Sequence, residues 1–148
     1  MLQLRSFTSE HDQVVETMIS LTHLSNLNRA IVAGQGSTSL YLALRRRGLI
    51  RIGFPSTFRL RKATCAVGLI TVRDSMDDFE IALAQVAASL GTAATIAVLI
   101  TSSESGFAVK IRKKLEQLGF RIEAGVRCHQ GLVLSARRQG LAQMDRAA

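Results

Sequence analysis

Apolar positions in this chain alternate between short continuous runs and stripes at helical spacing. Ala30-Ile-Val-Ala-Gly34 is an apolar run that enters the turn Gly34-Gln35-Gly36-Ser37, and the helical pattern Leu40-Tyr-Leu-Ala-Leu-Arg-Arg-Arg47 follows. Before it, Ser9-Glu-His-Asp12 reads as a capping box. Val15, Met18 and Thr22 then mark one face of a helix reaching about Leu24. Asn26-Leu-Asn28 breaks that pattern. The predicted elements continue as a strand over 30–34, a helix over 38–47 closed by Gly48, and a strand over 49–53. The run over 66–72 is almost wholly apolar, as in a parallel strand buried on both faces.

Ser75-Met-Asp-Asp78 opens a predicted helix that places Phe79, Leu83, Val86 and Leu90 inward and stops at Gly91. A strand over 95–101, a helix over 104–118 with its stop at Gly119, and strands over 120–124 and 131–136 complete the pattern. Only a few residues separate the last two strands, too few for a parallel crossover, so they must run antiparallel. The fold class is therefore α/β: a three-layer Rossmann-like open sheet, mostly parallel, with an antiparallel C-terminal strand. Residues 1–138 form one domain in this reading, and 139–148 a flexible tail.

With these elements in place, the chain resembles the class I S-adenosylmethionine-dependent methyltransferases over roughly residues 9–138. Val32-Ala-Gly34-Gln-Gly36-Ser-Thr38 looks like the family's glycine-rich first motif. The resemblance implies S-adenosylmethionine as cofactor, with Gly34 and Gly36 approaching its amino acid part. Two acids of the family pattern are missing. Val32 and Ala33 stand where one usually precedes the motif, and Gly53, Phe54 or Ser56 falls where another would hold the ribose hydroxyls. No Asp or Glu occurs between Thr17 and Val72, so the cofactor site reads as degenerate and S-adenosylmethionine binding as weak or absent. The chain is also shortened between its second and central strands. About a dozen residues link Gly53 to Ala66, too few for a further strand and helix, yet at roughly 3.3 Å per residue they span about 40 Å and cross the first strand.

Charge adds a second theme. The 148 residues carry a net charge of +8, and 47% are hydrophobic. That composition supports a real core, and its basicity suits an anionic partner. Arg45, Arg46, Arg47, Arg51, Arg59, Arg61 and Lys62 crowd one region. Arg59, Arg61 and Lys62 lie in the short crossover and form a candidate anion-binding group, for nucleic acid or another polyanion. Few aromatics accompany them, whereas single-stranded nucleic acid sites use aromatic platforms. Lys110, Arg112, Lys113 and Lys114 read as the solvated face of an amphipathic helix. Cys65 and Cys128 lie in apolar runs and read as buried thiols. No metal-ligand spacing joins them to His11, His23 or His129. The apolar runs are too short to span a bilayer, and no signal-peptide pattern opens the chain. A cytoplasmic protein that neither enters a membrane nor holds a metal is expected.

Candidate cofactor-binding residues are Gly34, Gln35, Gly36 and Ser37 in the first turn and Arg73, Asp74 and Ser75 after the central strand. All fall at the carboxyl edge, where open sheets bind ligands. Each also has a structural reading: the glycines as a tight turn, Asp74 and Ser75 as helix caps, and Arg45–Arg47 as a helix end complementing the dipole. Thr101-Ser-Ser-Glu104 lines the same edge or caps a helix, and His129 sits in the last turn, where the sequence gives no reason to assign it catalysis. No catalytic residue can be assigned. Three functions fit: a divergent methyltransferase-like domain with a degenerate site, which the motif favours; a noncatalytic protein-interaction domain; and a binding module for an anion or nucleic acid through residues 45–62. An exposed edge strand at 49–53 predicts a homodimer or a dedicated protein partner.

Overall fold

Successive side chains of each inner strand point to opposite faces of a sheet, and in this protein the two faces build two separate cores. The computed structural model describes residues 2–57, 64–102, 104 and 106–139, with the side chains of residues 2–11 left out. In chain order the elements are α1 (Leu2–Thr22), β1 (Ala30–Gly34), α2 (Ser37–Arg46), β2 (Ile52–Gly53), β3 (Cys65–Val72), α3 (Met76–Ala87), β4 (Leu90–Ile100), α4 (Phe107–Gln117), β5 (Phe120–Cys128) and β6 (Gly131–Arg138). Ala30 and Val32 of β1, with Val67 and Leu69 of β3, pack against Val14, Val15 and Met18 of α1 and Leu40 and Leu44 of α2. Ile31 and Ala33, with Ile70 and Val72, join Phe79, Leu83 and Val86 of α3 and Ile111 and Leu115 of α4. The period of two along the strands thus produces three layers.

The six strands lie in the order β2-β1-β3-β4-β6-β5. β2, β1, β3 and β4 are parallel. β6 enters antiparallel between β4 and β5. The crossover from β2 to β3 passes β1 without adding a strand outside β2 among the described residues, so the sheet is shortened where the sequence indicates.

Several boundaries differ from expectation. α1 begins at Leu2, so Ser9–Asp12 lies inside the helix and opens nothing. It stops at Thr22 because His23 adopts a left-handed φ of 55°, and Leu24 N–H bonds the Ile19 carbonyl in a closing turn. α3 ends at Ala87 rather than Leu90. Cys65 N–H takes the Ser89 carbonyl at 2.7 Å, which draws Leu90 and Gly91 into β4. β2 keeps only two of its five expected residues: Leu49 N–H bonds back to Leu44, and Ile50 N–H is taken by Asn26 Oδ1. α4 begins at Phe107, after Gly106. β5 runs on to Cys128 because residues 124–128 pair with 131–135 of β6. Of the expected tail, Gln139 N–H bonds the Gly119 carbonyl, and residues 140–148 lie outside the described residues.

Candidate functional site

The turn after β1 is held by its own backbone. Gly34 has a φ of 106°, and a Cβ there would stand 2.1 Å from the Thr71 carbonyl oxygen of β3. Only glycine allows that approach. Gln35 N–H then bonds the Thr71 carbonyl at 3.1 Å, and the Thr71 hydroxyl donates to the Gln35 carbonyl. Gly36, with a φ of 77°, opens α2 without a side-chain cap. Space lies around it, and the Arg73 guanidinium is 4.0 Å from where its Cβ would be. The first N–H groups of α2 and Arg73 therefore give this part of the edge a positive character.

Gln35 braces the turn sideways. Its Nε2 donates to Asp78 Oδ2 at 2.8 Å, and its Oε1 accepts from Arg73 N–H at 3.2 Å. One side chain thus ties β1 to the β3 exit and to the first turn of α3. Ser75 caps α3 by accepting from Asp78 N–H at 3.2 Å, and Asp77 and Asp78 complement the helix dipole. Arg73 and Asp74 are exposed. Thr101 bonds the Val72 carbonyl through both its N–H and its hydroxyl, which fixes the neighbouring β4 exit.

The structure gathers Gly34, Gln35, Gly36, Ser37, Arg73, Asp74 and Ser75 at one edge, as their strand-end positions require. Asp78 joins them, although the sequence suggests only a helix-capping acid. Its distance of 43 positions from Gln35 hides the pairing from any local pattern. A cavity of about 230 Å³, lined by Gly34, Gln35, Asp78, Ile81, Ala82 and Gln85, lies between the turn and α3. Small-molecule pockets usually measure about 300–1,000 Å³, so it is small for a nucleoside cofactor. A second cavity, of about 410 Å³, lies away from the turn against Arg112, Glu116, Phe120 and Arg121.

Where the resemblance implies acids stand Val32 and Ala33, each buried in a core, and Gly53, Phe54 or Ser56, with the Phe54 ring packed 4.9 Å from that of Tyr41. None of these is a carboxylate. Arg59, Arg61 and Lys62 lie outside the described residues. Arg47 is engaged by α1, with Nη2 3.1 Å from Asp12 Oδ1 and Nη1 paired with Glu16. Arg45 and Arg46 are exposed. His129 lies in the turn between β5 and β6. Both cysteines are buried free thiols. Burial pushes the Cys65 thiol up to about 11, a rise that the nearby Arg29 guanidinium partly offsets. Among the described residues, no group of His, Cys, Asp and Glu could hold a metal ion, and no helix is long and apolar enough to cross a membrane.

No protein-family model matches the chain, and no curated protein matches it in sequence. Solved structures do match it in shape. A ribosomal protein L11 methylase from Lactobacillus delbrueckii subsp. bulgaricus superposes with a TM-score of 0.63 at 13% identity, over 86% of this chain and 78% of that one. The fold is methyltransferase-like. A release factor-specific protein-(glutamine-N5) methyltransferase from Alicyclobacillus acidocaldarius gives 0.53 at 14% identity, over 88% and 92% of the two chains. An rRNA methylase from Streptococcus thermophilus gives 0.54 at 9% identity, over 84% and 95%. The Rossmann-like sheet with its reversed strand β6 is thus the fold shared with these methyltransferases.

Proposed function

We propose that this is a divergent methyltransferase-fold domain with a degenerate cofactor cleft, which acts by binding another molecule rather than by transferring methyl groups. The observation that carries this reading is the bracing of Gln35. The one polar side chain between the two glycines is engaged by Asp78 and by Arg73 N–H, so it faces the protein instead of a ligand. The acid-free stretch from Thr17 to Val72 supports the same reading. Ribose hydroxyls that leave water need acceptors, and each hydrogen bond to a charged group contributes about 1.5–3 kcal/mol.

Calorimetric titration with S-adenosylmethionine and S-adenosylhomocysteine tests the proposal. The expected result is no binding, or a dissociation constant on the order of 100 µM or weaker. A sub-micromolar constant for either compound overturns it.

A further inference from the structure

We propose that the flank formed by α2 and the edge strand β2 is a docking surface for an acidic polypeptide segment carrying aliphatic anchors. This surface is distinct from the cleft at the carboxyl edge, and the inference does not depend on how that cleft is used.

Three large aliphatic side chains are exposed along one connected path. Leu42 of α2 is 47% exposed, Ile50 at the approach to β2 65%, and Leu27 in the turn before β1 84%. Leu42 lies one helical turn from Arg45 and Arg46. Arg45 Nη1 donates to the Ile50 carbonyl at 3.3 Å, and Ile50 N–H donates to Asn26 Oδ1 at 3.2 Å, beside Leu27. The exposure of Leu27 is built in. Ser25 Oγ accepts from Leu27 N–H and donates to Asn28 Oδ1, both at 3.2 Å, so the turn is stitched in a shape that holds the leucine out. Solvated aliphatics are ordinary when scattered singly, whereas a connected set marks an interaction surface.

Among the described residues, exposed arginines stand beside this path. Arg45 and Arg46 of α2, and Arg51 next to Ile50, are exposed. Asp12 and Glu16, the α1 acids whose side chains are described, are both engaged by Arg47. No Asp or Glu from Thr17 to Val72 neutralises the arginines. The cations between Thr17 and Gly53 are all arginine, while Lys110, Lys113 and Lys114 cluster on α4. Protein interfaces favour arginine over lysine in this way. The nearby aromatics argue against a single-stranded nucleic acid. Tyr41 and Phe54 are half-buried against each other and offer no open platform for bases. The complement of such a flank is a chain with carboxylates to meet the guanidinium groups and leucine-like side chains to cover Leu27, Leu42 and Ile50.

The test is fluorescence anisotropy with three labelled probes of matched charge: a synthetic peptide of Glu-Glu-Leu-Leu repeats, an all-Glu peptide, and a single-stranded DNA oligonucleotide. The Glu/Leu peptide is expected to bind at least about tenfold more tightly than either other probe. The double variant Leu27→Ser/Ile50→Ser is expected to reduce it to the all-Glu level, and Arg46→Ser/Arg51→Ser to weaken both peptides. These side chains are exposed, and unchanged thermal unfolding of both variants confirms that the surface alone was altered. DNA binding as tight as the Glu/Leu peptide, unchanged peptide binding by Leu27→Ser/Ile50→Ser, or no binding of the Glu/Leu peptide at low salt overturns the proposal.

Discussion

The Gln35 amide donates to the Asp78 carboxylate at 2.8 Å, joining residues 43 positions apart. This bond makes the glycine turn part of the packing between β1 and α3. Replacing Gln35 by Glu sets two carboxylates against each other and removes the donor. The variant is expected to lose about 1 kcal/mol at neutral pH. High salt screens the repulsion and narrows the gap to wild type. Urea unfolding of both proteins at low and high ionic strength measures it, and equal stability of the two proteins at low salt contradicts the pairing.

The two turn glycines separate strain from space. Gly34→Ala combines a positive φ with a backbone collision and is expected to cost about 2–4 kcal/mol. Gly36→Ala retains only the left-handed penalty, about 1 kcal/mol, because nothing but Arg73 comes near. Chemical denaturation of the two variants side by side checks the order, and equal losses contradict it.

Those glycines also show what was legible in the sequence. The turn could be read because a strand must stop and reverse there, and few residues tolerate the geometry. The layers could be read because Ala30 and Val32 alternate with Ile31 and Ala33. Leu90 shows where that reading fails. It continues the stripe of Phe79, Leu83 and Val86, but pairing with β3 takes it into the sheet. The second half of β5 carries no apolar period because its residues are exposed, so only its pairing with β6 marks it as a strand. The Gln35–Asp78 bond, the Tyr41–Phe54 contact and the Arg47 pairs depend on distant segments meeting, which no local pattern encodes.

Cys65 gives a pH dependence with a definite sign. Its thiol is pushed up from 9.0 to about 11 by burial. A raised folded-state pKa means stability that is fully present below pH 9 and is lost as pH rises toward 11. Cys65→Ala removes that titration. The difference in unfolding free energy between wild type and variant should therefore shrink across this window. A constant difference across it rules out the assignment.

Arg47 joins α1 to α2 through Asp12 and Glu16. Arg47→Ala is expected to destabilise the domain by about 1 kcal/mol. Screening weakens the pairs, so the loss should diminish in high salt. Thermal unfolding at low and high ionic strength makes the comparison, and a loss insensitive to salt points to packing of the arginine stem instead.

The place of β6 has a consequence for synthesis. This strand, the last among the described residues, lies between β4 and β5, so β5 leaves the ribosome before the neighbour that joins it to the sheet. Domains form progressively as the chain emerges, yet here one margin of the molecule waits for its final ladder. A nascent chain arrested before Gly131 would carry the four parallel strands with β5 still undocked, and completion of residues 131–138 would supply the ladder that joins β5 to β4.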